Sequence, residues 1–129
     1  MSDNGDVVRL TMPATPQLLR VARLTAAGLA GRLGFSFDEI EDVKIAVDEL
    51  CFALVGSKGR EGSLTVTYRL EEGALAIEGE GDFRSPSGND PAPSELSAQI
   101  LAAVVDEHAL SRDGDTMRFT LRKRRRVEA

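Results

Sequence analysis

FDEIEDVKIAVDELCFALVGS, residues 37–57, is the stretch on which the fold turns. Ile40, Val43, Val47, Leu50 and Leu54 recur at intervals of three and four, which places them on one face of an α-helix with Cys51 beside them. At about 100° per residue, Glu49 falls away from the centre of that stripe, and Asp42, Ala46 and Ala53 fall near it on the same flank. Glu49 therefore stands at an edge of the core, flanked by small residues. Ser36 has the position of an N-cap and Glu39 follows three residues later, the spacing of a capping box. Asp38, Glu39, Glu41 and Asp42 favour the positive end of the helix.

On the N-terminal side, DVVRLTMP (Asp6 to Pro13) reads as a first strand, at an edge because Pro13 closes it. Thr15 and Pro16 signal a helix start, Leu18, Ala22, Leu29 and Leu33 mark its buried face, and Gly34 ends it. On the C-terminal side, Gly56, Gly59 and Gly62 separate the second helix from SLTVTYRL, where Leu64, Val66, Tyr68 and Leu70 alternate strictly with polar residues. The EEG turn at Glu71 to Gly73 leads into ALAIEGEG, predicting a hairpin. Ser85 to Pro93 reads as a flexible loop. ILAAVVDEHAL reads as a third helix marked by Ile100, Leu101, Val104 and Val105, with His108 complementing its negative end. SRDGD is a turn, and MRFTLRKR a closing strand with Met117, Phe119 and Leu121 on one face.

Three helices and four or more strands in the order βααββαβ give an α/β fold, a two-layer sandwich of a mostly antiparallel sheet with helices on one face. The 129 residues, 42% hydrophobic, suit a single domain over 1–129. There is no run of about eighteen apolar residues and no charged-then-apolar leader, so no membrane association is expected and a cytoplasmic location is the default. One Cys and one His supply too few ligands for a structural metal, and Cys51 reads as a small buried apolar residue. The net charge is −5, but Arg122, Lys123, Arg124, Arg125 and Arg126 are consecutive; without them residues 1–121 carry 11 basic against 20 acidic side chains, or −9. The basic tail at 122–126 reads as the solvated, partly frayed end of the last strand, and the acidic body argues against direct nucleic-acid binding and for a basic protein partner.

PATPQLLRVARLTAAGLAGRLGFSFDEIEDVKIAVDEL, residues 13–50, resembles the opening of the bacterial anti-sigma factor and serine-protein kinase family within the histidine-kinase-like ATPases. The likeness extends through the strands, the third helix and the final DTMRFTLRKR. Ala46, Val47 and Glu49 carry its sharpest part. The resemblance implies that the glutamate at Glu49 polarises an attacking hydroxyl, and that an asparagine four residues on holds magnesium; Ala53 stands there, with no oxygen for a hard cation. It implies an Asp-x-Gly-x-Gly motif that reads adenine, against which Gly79 and Gly81 are suitably spaced; Ile77 replaces the acid, and Asp82 is an acid out of register. It also implies a glycine-rich lid at a helix start, where this chain has Ser94, Glu95, Leu96 and Ser97.

With three nucleotide motifs altered together, the expectation is a scaffold that binds ATP and Mg²⁺ weakly or not at all, with no resident cofactor. The reading preferred on the resemblance is an anti-sigma factor, which sequesters a sigma factor and is released by an anti-anti-sigma (STAS-domain) protein, with exposed first-helix residues such as Arg20 and Arg23 at the interface. A homodimer is left open. The runner-up is an ATP-dependent serine-protein kinase acting on that antagonist, with Glu49 as base. An unrelated α/β binding domain with Glu49 merely solvated is the third.

Overall fold

The structure is a computed structural model, and residues 5–84 and 94–126 of it are described. The elements follow as β1 (Asp6–Pro13), a short 3-10 turn (Pro16–Leu18), α1 (Leu19–Arg32), α2 (Phe37–Val55), β2 (Gly62–Glu71), β3 (Ala74–Phe83), α3 (Glu95–Val104), β4 (Glu107–Asp113) and β5 (Thr116–Arg124). The five strands form one sheet in the order β1-β2-β3-β5-β4, every pair antiparallel. The three helices cover one face, so the expected two-layer sandwich is what forms.

Register explains the two faces. Leu10, Val66, Gly79, Phe119 and Leu110 line up across the sheet, as do Met12, Leu64, Gly81, Met117 and Arg112, and both rows face the helices. The intervening rows are polar and lie on the open face, where Thr11 and Thr65 share a 3.0 Å hydrogen bond and Arg118 meets Glu80 at 2.7 Å. The period of two in each strand thus separates core from solvent without any help from the loops.

α2 is the core helix. Val43, Val47, Leu50 and Leu54 are buried, as the periodicity predicts, each burial contributing about 1.5–3 kcal/mol. Its capping box is complete, with Glu39 N donating to Ser36 Oγ at 3.1 Å and Ser36 N donating to Glu39 Oε1 at 2.8 Å. α1 differs from expectation. Its buried residues include Ala22, Ala26 and Ala30, whereas Leu18 and Leu29 are only partly buried. The small stripe lets α1 approach closely enough for Tyr68 Oη to donate to the Ala22 carbonyl at 2.8 Å.

Two further expectations are corrected. The segment read as one long third helix ends at Val104, and His108 lies in β4, an edge strand registered against β5 from Glu107↔Arg122 to Asp113↔Thr116. Pairing along a seven-residue strand, closed by Gly114 at φ +64°, prevails over the apolar spacing of Ile100 to Val105. The basic run is not frayed. Arg122 and Lys123 belong to β5, Arg122 pairs with Glu71 at 2.7 Å on the open face, and Lys123, 5% exposed, points into the helix layer. Arg125 donates to the Leu33 carbonyl and Arg126 N to Glu39 Oε2 at 2.7 Å. Arg122 and Lys123 thus point to opposite faces of the sheet, while Arg124, Arg125 and Arg126 are exposed. The loop expected at Ser85 to Pro93 lies outside the described residues.

Glu39 therefore closes the start of α2 and anchors the chain after β5 at the same time. Burial pushes its carboxyl upward, but backbone N–H groups of Ser36 and Arg126, the Ser36 side chain and the Lys123 charge outweigh this and hold it below the ordinary glutamate value. A carboxyl depressed by folding stabilises the protein fully above its unfolded value, and that stability is lost as pH falls from there through the lower folded value. Glu39→Ala is expected to cost about 1–2 kcal/mol at neutral pH. Urea midpoints measured against pH should show the wild-type advantage shrinking in acid; a constant gap would show that the charge is not the source.

Candidate functional site

Glu49 sits half-buried on the flank of α2 that the helical geometry assigns it, in a stripe with Asp42, Ala46 and Ala53. α3 lies along this flank. Ser97 Oγ, in the first turn of α3, donates to Glu49 Oε2 at 3.0 Å. That turn is itself fixed, because Ser94 caps α3 by accepting from Ser97 N at 3.1 Å. At the other end of α3, Lys123 Nζ donates to the Val104 carbonyl at 2.8 Å and meets Asp42 Oδ2 at 3.2 Å. α3 thus runs antiparallel to α2, and the interval of seven positions from Ser97 to Val104 matches that from Glu49 back to Asp42. Ala46, fully buried, lies between the two carboxylates on this flank, and Leu101 is the buried residue of α3.

The remaining expected site residues divide. Gly79 and Gly81 are on the helix-facing side of β3, but neither has free space above it. A methyl group at Gly79 would overlap the Phe119 ring, and one at Gly81 the Phe83 ring. The Phe83 ring in turn carries the Arg60 guanidinium 4.3 Å from its centroid, and Arg60 Nη1 donates to Met117 Sδ at 3.1 Å. Ile77 is wholly buried on the same side. Asp82 is exposed and, by the alternation of the strand, on the opposite face with Ser63 and Thr116. Glu49 and Ala53 therefore remain as neighbours on α2, Asp82 is turned away from them, and the two glycines are occupied by the chain's own rings.

Sequence reasoning missed three residues here. In the sequence Ser97 reads only as a departure from a lid pattern, and Lys123 only as part of a charge run. Phe52, 49% exposed, lies outside the apolar stripe and gave no periodic signal. With Pro16, Gln17, Leu19, Arg20, Arg23 and Asp48 it lines a groove of about 240 Å³ between α1 and α2, braced by the 3.0 Å Arg23–Asp48 pair. Cys51 is buried, and its thiol is pushed up to about 12 by desolvation and by the Asp48 charge, which leaves it unreactive. Among the described residues no cluster of three or more His, Cys, Asp or Glu side chains is placed to hold a metal ion, and no helix is long and apolar enough to cross a membrane.

The profile of the family described as histidine kinase-like ATPase domain matches residues 12–123. This chain belongs to that family. Among the relatives of this histidine kinase-like ATPase domain, the serine-protein kinase RsbW of Bacillus pumilus is 32% identical over 119 residues, which cover 84% of this chain and 70% of the relative. The serine-protein kinase RsbW of Bacillus subtilis is 37% identical over 80 residues, covering 60% of this chain and 50% of its own. The chain thus spans 70% of the first and half of the second. A crystal structure of RsbU and RsbW domains from Mycobacterium tuberculosis superposes with a TM-score of 0.69 over 93% of this chain and 32% of that one, at 17% identity, a likeness that concerns the fold alone.

Proposed function

We propose that this histidine kinase-like ATPase domain is an anti-sigma factor that sequesters a sigma factor in the cytoplasm and is released when a STAS-type anti-anti-sigma protein competes for an overlapping surface. The relation to RsbW proteins supports the reading. The observation that carries it is the filling of the space over Gly79 and Gly81 by Phe119 and Phe83. A scaffold that closes its own glycine motif keeps a shape for binding proteins while giving up room for a nucleotide base. The residues present do not fit magnesium-nucleotide as the family pattern holds it: Ala53 offers no oxygen, and the acid expected two residues before Gly79 is the buried Ile77.

The groove between α1 and α2 is the surface we assign to the sigma factor. Arg20 supplies an exposed cation and Phe52 an exposed ring at its wall, the residue types that dominate interface energies when desolvated. One observation favours a second reading, a kinase acting on a serine of the antagonist: Glu49 already accepts from a serine hydroxyl at 3.0 Å.

The two readings separate in one set of measurements. Calorimetry with ATP and magnesium at about millimolar nucleotide is expected to show no binding; a saturable heat would move the assignment to the kinase. Copurification from the native cell is expected to recover a sigma factor, and its absence would remove the first reading. Phe52→Ala should weaken that complex by about 30-fold, with Arg20→Ala giving a loss of similar order.

A further inference from the structure

We propose that the cleft between the end of α1 and the β2–β3 turn binds a zwitterionic ligand of the amino-acid class, with its carboxylate on Arg125 and its ammonium on Glu72. The cleft has a volume of about 560 Å³, and Arg32, Gly34, Glu71, Glu72, Gly73 and Arg125 are among its walls. It stands apart from the surfaces described above. Gly73 is eight positions from Gly81 along extended chain, roughly 26 Å, and Arg32 is twelve positions from Arg20 along α1, roughly 18 Å.

The backbone holds these walls in place. Arg125 N donates to the Gly73 carbonyl at 2.7 Å, tying the chain after β5 to the turn, and Arg125 Nη1 donates to the Leu33 carbonyl at 2.9 Å, fixing the guanidinium against the end of α1. Gly34, at φ +81°, makes room for it, since a methyl group there would come within 3.1 Å of Nη1. Glu71 is engaged by Arg122 at 2.7 Å. Glu72 and Arg125 are both exposed and line the same cleft, yet among the described residues neither forms an ion pair. Two opposite charges held on one cleft without meeting fit a ligand that brings both signs. A simple anion on Arg125 would face Glu71 and Glu72, and a simple cation on Glu72 would face Arg32 and Arg125; a zwitterion satisfies both charges at once. The guanidinium, planar and held by one of its five N–H donors, suits a carboxylate. The shared chemistry is an ammonium and a carboxylate on one small molecule, as in a free amino acid or a short peptide with free ends.

The test uses the full chain, with L-alanine and L-alanyl-L-alanine as probes and NMR of the Gly34, Gly73 and Arg125 amides as the readout. At least one probe is expected to give saturable shifts at these amides, and the tighter of the two tells a free amino acid from a peptide. Acetate and ethylammonium, each with one of the charges, should bind at least about tenfold more weakly. Arg125→Gln and Glu72→Gln should each weaken the probe by about tenfold. Glu72→Gln breaks no hydrogen bond or ion pair among the described residues, so it reads binding without disturbing the fold. Absence of saturable shifts from both probes up to tens of millimolar overturns the proposal. Acetate binding as tightly as the zwitterions also overturns it, because the cleft would then hold anions only, and so does unchanged binding by Glu72→Gln. No sigma factor enters the measurement, so failure here and failure of the sequestration reading are told apart.

Discussion

Replacing Gly79 by alanine is expected to destabilise the domain by about 3 kcal/mol, the upper part of the range for overpacked cores. The sign is the informative part. Gly79 has an ordinary extended backbone, and an extended Gly→Ala change on its own stabilises by about 0.5–1 kcal/mol through the unfolded chain. The cost arises only because the new methyl would fall within the Phe119 ring, which is itself fully buried and has no vacant space to enter. Gly79→Ala combined with Phe119→Leu should then be much less damaging than the sum of the two single changes, since each relieves the other. Chemical denaturation of the four proteins measures this. A neutral or stabilising Gly79→Ala would show that the glycine is kept for a ligand rather than for the ring, and would reopen the nucleotide site. Gly81→Ala is expected to cost less, because Phe83 lies nearer the surface and can turn.

Lys123→Met should lose about 2–3 kcal/mol, below the 3–5 kcal/mol seen when a fully buried pair is broken, since the Asp42 side chain is 32% exposed. The methionine keeps the apolar stem, so the loss measures the ammonium. That group satisfies the Val104 carbonyl and the Asp42 carboxylate together, and its removal leaves both without their donor. Pairing the change with Asp42→Asn isolates the carboxylate's share: the double variant should recover part of the loss, and strict additivity would place the whole effect at the carbonyl. Thermal denaturation with a retained folded baseline suffices to read it. A variant as stable as the wild type would return Lys123 to the status of a surface cation.

Much of the fold is legible in the chain because period and capping agree. The stripe from Ile40 to Leu54, the Ser36–Glu39 box, the strict alternation of Leu64 to Leu70 and the EEG turn each specify a local structure that tertiary packing then leaves in place. Glu49 and its flank are likewise a matter of helical geometry. What the chain conceals is whatever depends on distant pairing. ILAAVVDEHAL has helical spacing throughout, and only the presence of β5 beside it makes a strand from Glu107 onward. The alanine stripe of α1 is weak in hydrophobicity, so Leu18 and Leu29 give the stronger sequence signal although Ala26 and Ala30 are the residues inside. Five adjacent cations read as a solvated end because period two within a charge run is easily overlooked; it is what sends Arg122 outward and Lys123 inward. The Ser97–Glu49 contact spans 48 positions and has no local signature.

β5 is the last strand in chain order, yet it lies in the interior of the sheet, between β3 and β4. A nascent chain can build the β1-β2-β3 meander beneath α1 and α2, but the outer edge of β3 stays unpaired until β5 arrives. Gly79 then has no ring above it, β4 has nothing to pair with, and α3 has no lysine at its end. The open edge of β3 is the kind of surface that invites aggregation or capture by a chaperone. Quality control thus has a natural criterion in this domain: a copy damaged anywhere in β5 leaves edge, core and helix cover unfinished together, and is expected to be removed by proteolysis rather than persist as a partly active regulator.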